Sequence, residues 1–169
     1  MVSQVFEPLG IHAIFEWPAT WNKDQPWGHV ETKKGIRPQN PNDKDEQLPL
    51  FLLPAGGIAM SVDDYGKFLQ EHLKGLEGKP GKLLSLETIR RLHTAPMHDK
   101  YALGWGLQQL NEVPSSVHAG SDGTFYAVVA VQPSRDIAVA VVTNSGGDRS
   151  SAGCSAALKA LLAQYAKDK

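Results

Sequence analysis

The sequence predicts an α+β domain in which an antiparallel sheet carries a C-terminal helix packed across it. Three observations point there. The apolar runs "TFYAVVAVQ" and "IAVAVVTN" are separated only by a turn from Pro133 to Asp136, and strands joined by so short a connection must run antiparallel. Both runs are nearly all apolar rather than alternating, so both faces of the sheet are covered. The closing stretch "SAGCSAALKALLAQYAK" supplies one cover, because Ala157, Leu158, Leu161, Leu162 and Tyr165 form a continuous stripe at helical spacing.

The earlier elements follow in order. Residues 18–54 are rich in Pro, Asn, Asp, Lys and Trp and show neither helical nor strand period, which reads as a long loop, functional or poorly ordered. "SVDDYGKFLQEHLKG" is a helix: Ser61 caps it, Asp64 sits at its third position, and Val62, Tyr65, Phe68, Leu69 and Leu73 share a face before Gly75. "SLETIRRLHTAP" opens a second helix at Ser85, and Pro96 closes it. From Tyr101 the character turns to strand, in "YALGWGLQQL", "SSVHAG" and the two apolar runs. The chain is expected to be one domain over 1–169, with the sheet and terminal helix in 101–169, and it contains no internal repeat.

Composition bounds the function. With 169 residues and 41% of them hydrophobic, the chain can bury a core. Seventeen basic residues nearly balance 18 acidic ones with no long run of either sign, so no footprint for nucleic acid or an anionic membrane is present. No stretch approaches the roughly 18 apolar residues of a membrane span, and "MVSQVFEPLG" lacks the pattern of an export signal. The compartment stays open. Cys154, the only cysteine, excludes an internal disulfide and is expected to be a buried apolar residue of the last helix.

Four features invite a chemical reading. His12, His29, His72, His93, His98 and His118 are scattered without metal-ligand spacing, so neither metal nor cofactor is expected. "TNSGGDRSS" lacks the Gly-Lys-Ser/Thr ending of a phosphate loop and reads as a strand-to-helix turn capped by Asp148 or Ser150. Gly153-Cys154-Ser155-Ala156-Ala157 lacks the second glycine of a nucleophile elbow and lies inside the helical stripe. "HAG" is different: a histidine on a sheet edge followed by small residues leaves room for a ligand to lie along the strand. The residues alone leave open whether His118 is catalytic or only begins a strand.

Several stretches in order bear on that question. "VFEPLGI", "LPAGGIAMSVDDYGKFL", "YALGWGL" and "HAGSDGTFYAVVAVQPSRDIAVAVVTN", followed by the final helix, run from residue 5 to residue 166. With them the chain resembles the C-terminal half of the serine β-lactamase, penicillin-binding protein and related esterase superfamily, most closely its class C-like branch. The resemblance implies part of an α/β/α sandwich, an incomplete β-lactamase/transpeptidase-like fold without two N-terminal strands. It matches His118, Ala119 and Gly120 to that family's third motif, Lys-Thr-Gly or His-x-Gly, on the strand bordering the active site. By the same resemblance His118 would face a substrate carboxylate or the proton-transfer network, and the backbone N–H of Ser121 would be an oxyanion-hole donor. Gly120 would keep the strand edge clear for the acyl group.

The departure from the family lies in the nucleophile. No Ser of this chain has Lys three residues later, and Tyr65, Tyr101, Tyr126 and Tyr165 all lack Asn two residues on, so neither Ser-x-x-Lys nor Tyr-x-Asn occurs. The expectation is the C-terminal portion of a serine hydrolase for a small ester, amide or β-lactam substrate. It would be inactive without an N-terminal half and prone to self-association through its uncovered surfaces. The rival expectation is a non-catalytic interaction module that uses the old substrate edge and the 18–54 loop.

Overall fold

A computed structural model describes residues 1–43, 48–96 and 99–165. His98 lies outside the described residues. The chain opens on a π-helical turn, Val2–Phe6, that runs into α1 (Glu7–Leu9) and stops at Gly10, whose φ of 64° is left-handed. Buried Phe6 and Ile11 hold this segment down, and Lys67 Nζ and Lys82 Nζ donate to the carbonyls of Gly10 and Pro8 at 2.6 and 3.2 Å. Next come β1 (Ala13–Ile14), α2 (Pro18–Trp21), β2 (His29–Thr32) and β3 (Gly35–Pro38). A 3₁₀ turn at Leu50–Leu52 leads into α3 (Leu53–Gly56), and β4 (Ala59–Met60) pairs antiparallel with β1.

Two helices follow, each capped as the sequence predicts. In α4 (Val62–Leu76) the Ser61 Oγ accepts from Asp64 N at 3.1 Å, and in α5 (Leu86–Leu92) the Ser85 Oγ accepts from Thr88 N at 3.2 Å. The main sheet is β5 (Gly106–Leu110), β6 (Val113–Ser121), β7 (Tyr126–Gln132) and β8 (Ile137–Thr143), neighbours in chain order and antiparallel throughout. The chain closes on α6 (Asp148–Tyr165).

Alternation along β7 divides the core in two. Val128 and Ala130 face Cys154, Leu158 and Leu162 of α6, whereas Val129 and Val131 face Leu69 and Leu73 of α4 together with Trp105. Both faces of the sheet are therefore covered, as the unbroken apolar runs require. Each fully buried aliphatic side chain of this kind contributes roughly 1.5–3 kcal/mol. Among the described residues no helix is long and apolar enough to cross a membrane.

Four local expectations are corrected. The 18–54 stretch is not a featureless loop, since its centre is the antiparallel hairpin of β2 and β3, with His29 opposite Pro38 and Gly35 turning the chain at φ 125°. Its strands form a two-stranded ribbon with mostly exposed or half-buried positions, so no apolar alternation marks them. The strand expected from Tyr101 begins at Gly106, because Ala102–Trp105 form a tight turn with Gly104 at φ 90° and only a single bridge joins Tyr101 to Gly106. On α6 the buried row is Cys154, Leu158 and Leu162, while Ala157 is exposed and Tyr165 is 62% exposed. Finally, α6 begins at Asp148 with Gly147 ahead of it, so neither Asp148 nor Ser150 sits outside the helix as a cap.

Candidate functional site

The two strands that flank β6 differ in length, and this opens an edge. β5 ends its pairing at Gly106 opposite Val117, whereas β7 continues to pair with His118, Ala119, Gly120 and Ser121. Those four residues are exposed and hydrogen-bonded neighbours of one strand only. A shallow cavity of about 560 Å³ lies along the open side, lined among others by Lys100, Tyr101, Gly106, His118 and Ala119. The geometry is that of a strand edge able to receive an extended ligand through main-chain hydrogen bonds.

His118 is held from the turn before β5. Its Nδ1 is 2.7 Å from the carbonyl oxygen of Gly104. A carbonyl only accepts, so Nδ1 carries the hydrogen and Nε2 is the nitrogen left to take a proton.

Ser121 is held from the other side. Its Oγ donates to the Phe125 carbonyl at 2.6 Å and accepts from Gly123 N at 3.0 Å, which commits the hydroxyl to the β6–β7 turn. Asp122 completes that turn: one carboxylate oxygen accepts from Thr124 N, Thr124 Oγ1 and Phe125 N at 2.8, 3.0 and 2.7 Å. Gly123 has φ 91°, a left-handed conformation that glycine adopts without penalty. Sequence reasoning passed over Asp122, although Ser-Asp-Gly between two strands is the composition of an Asx turn.

The hairpin of β2 and β3 is docked against this end of the sheet. His29 N donates to Thr124 O and Gly146 N donates to His29 O, both at 3.0 Å. His29 Nδ1 lies 2.9 Å from Asn144 O, and Asn144 Nδ2 donates to Trp27 O at 3.0 Å. Gly28 has to be glycine for this approach, because a Cβ there would stand 2.5 Å from Thr124 Oγ1 and 2.8 Å from the Phe125 ring. Glu31 reaches further and accepts from Arg149 N at 3.3 Å in the first turn of α6, with Arg149 Nε 3.6 Å from its other oxygen. A carboxylate from the hairpin thus caps the first turn of α6.

Beneath Gly104 lies a buried aromatic cluster. His72 Nδ1 is 2.9 Å from His93 Nε2, and Trp105 stacks on His93 at 4.5 Å between centroids. Burial pushes the His72 imidazole down to about 4, partly opposed by the Glu71 carboxylate. Burial, aided by His72, pushes His93 down to about 3. Both rings are neutral at ordinary pH, and among the described residues no three His, Cys, Asp or Glu side chains gather as metal ligands would.

Comparison with known proteins supports a β-lactamase-related serine hydrolase fold for this covered antiparallel sheet. The family model described as Beta-lactamase matches residues 1–164, and the chain belongs to that family. Among solved structures it is similar to the octameric penicillin-binding protein homologue from Pyrococcus abyssi, with TM-score 0.71 and 25% identity over 98% of this chain. It shares its fold with a penicillin-binding protein from Bacillus halodurans, with TM-score 0.65 and 18% identity over 94% of this chain. The chain spans 37% and 47% of the lengths of those two proteins. No curated protein matches the sequence.

Proposed function

We propose that this chain supplies the substrate-binding strand of a serine hydrolase that works through an acyl-enzyme, and that the nucleophile comes from a segment carrying Ser-x-x-Lys. The observation that carries this reading is the open edge of β6 from His118 to Ser121, bordered by a cavity and locked at both ends. In such a site the serine oxygen bonds to the carbonyl carbon as the C–O or C–N bond breaks and the alcohol or amine nitrogen takes a proton; that group departs from an ester or amide and stays tethered in an opened β-lactam. Water then cleaves the acyl-serine bond and releases the acid. His118 would exchange that proton through Nε2 or pair with a substrate carboxylate. The Ser121 N–H would stabilise the oxyanion, and Ala119 and Gly120 would bound the strand along which the substrate lies.

The rigid β6–β7 turn supports this reading. An oxyanion donor is useful only if it does not reorganise during the reaction, and Asp122 fixes the residues that follow Ser121. The committed hydroxyl of Ser121 supports a backbone role over a nucleophilic one. We further infer that the chain self-associates on its own. The outer edge of β8 has no strand partner among the described residues, and Val142 on it is 45% exposed.

The test is reconstitution with an N-terminal segment bearing Ser-x-x-Lys, followed by hydrolysis of a chromogenic short-chain ester or β-lactam. His118→Ala should lower kcat/KM by roughly 10²-fold, the usual range for a proton-transfer group. Unchanged kcat/KM would remove His118 from the site. The alternative is a non-catalytic binding module that uses the same edge and the 18–54 segment, and it is supported if the edge binds an extended ligand while no reconstituted pair turns over.

A further inference from the structure

We propose that Trp105 is the positioning residue that sets which nitrogen of His118 carries the proton. It rests on the reading above only for the use of His118; the linkage itself is built from distances within this chain. The partner of His118 Nδ1 is a backbone carbonyl, that of Gly104, at 2.7 Å. Gly104 has no side chain to fix it, and Leu103 beside it is 58% exposed. The turn is closed by Ala102 N donating to Trp105 O at 2.7 Å and Gly104 N donating to Ala102 O at 3.0 Å, while Leu103 N reaches Leu92 O at 3.2 Å.

The large anchor of that turn is the Trp105 ring, 6% exposed. It stacks on His93 at 4.5 Å with planes 28° apart and lies 5.0 Å from His72, whose ring abuts Phe68 at 4.6 Å. The indole is thus seated against two imidazoles that hydrogen-bond each other at 2.9 Å. Where the indole sits, the Gly104 carbonyl follows, since one peptide unit joins them. The tautomer of a neutral histidine is set by the hydrogen bond its ring makes, so moving that carbonyl by an ångström releases the bias toward Nδ1–H.

The consequence is chemical rather than only structural. With Nδ1–H fixed inward, Nε2 is the basic nitrogen; with the bias lost, part of the population presents Nε2–H and cannot accept a proton there. The test reads this on the chain itself, without turnover, by nitrogen-detected NMR of the imidazoles at about pH 8, above the ordinary histidine pKa. Wild type should show His118 predominantly as Nδ1–H, and Trp105→Phe, which keeps an aromatic face on His93, should keep it so. Trp105→Leu should shift His118 toward a mixture of both tautomers while the circular dichroism remains that of the folded chain. A folded Trp105→Leu variant with His118 still wholly Nδ1–H would overturn the proposal. If Trp105→Leu does not fold, His93→Ala, which removes the face the indole rests on without touching the turn, is read by the same two criteria. Because the readout needs no nucleophile, its failure leaves the acyl-transfer reading standing, and failed turnover leaves this linkage standing.

Discussion

His72 and His93, 21 residues apart in sequence, share a buried hydrogen bond of 2.9 Å on the α4–α5 side of the sheet. The pair holds the Trp105 face together while neutral, and His93 Nδ1 is buried without a hydrogen-bond partner. An unprotonated ring nitrogen tolerates this better than an N–H would, which favours His93 Nε2–H as the donor to His72.

The pair makes stability depend on pH with a definite sign. Unfolded histidine takes its proton near 6.5, whereas in the fold His72 does so at about 4 and His93 at about 3. Between those values the unfolded chain binds more protons, so the stabilisation is complete above 6.5 and is lost as pH falls toward 4 and below. Each proton contributes at most about 1.4 kcal/mol per pH unit. Urea unfolding at several pH values across this window should show the decline, and His93→Phe should reduce its slope. An unchanged slope would show that the pair is not its source.

Glu31→Ala should destabilise the chain by about 1 kcal/mol, the ordinary value of a helix cap, and loosen the hairpin. The cap spans 118 residues, so its loss should appear both in the unfolding midpoint and as faster proteolysis near the hairpin tip at Lys33 and Lys34. Loss of stability with unchanged proteolysis would show that the hairpin is held elsewhere.

Asp122→Ala should cost more than Ser121→Ala. The first removes an acceptor for three donors and the second removes a hydroxyl that makes two bonds, at roughly 0.5–1.5 kcal/mol each and more where a charge is involved. Denaturant unfolding of the two variants side by side checks the order.

In the reconstituted enzyme the order at position 121 reports the role of the backbone. Ser121→Ala keeps the N–H and should change kcat/KM little beyond its effect on the turn. Ser121→Pro deletes the donor and should lower it roughly 10²–10³-fold. Equal losses would make the hydroxyl the working group and would end the match of this strand to the His-x-Gly motif.

How much of this was legible depended on whether the information was local. Ser61 and Ser85 announce their helices because a cap acts across three residues, and β7 and β8 announce a doubly covered sheet because every position carries the signal. His118 through Ser121 were legible as a strand end with small neighbours. The hairpin was not, because what holds it is His29 on Asn144, 115 residues away, and Glu31 on Arg149. The His72–His93 pair was hidden for the same reason: no periodicity relates them, and only the packing of α4 against α5 brings them together. The open edge itself depends on β5 stopping at Gly106, and the turn at Gly104 that stops it reads in the sequence as more strand.

The most direct measurement of the central claim is mass spectrometry of the chain after exposure to an activated phosphonate or a β-lactam, alone and together with a segment bearing Ser-x-x-Lys. A binding edge and an oxyanion donor without a nucleophile stabilise a transition state that never forms. The account predicts no covalent adduct on the chain alone, and a stoichiometric adduct on the serine of the added segment in the mixture. A stoichiometric adduct on any serine of the chain itself would contradict it.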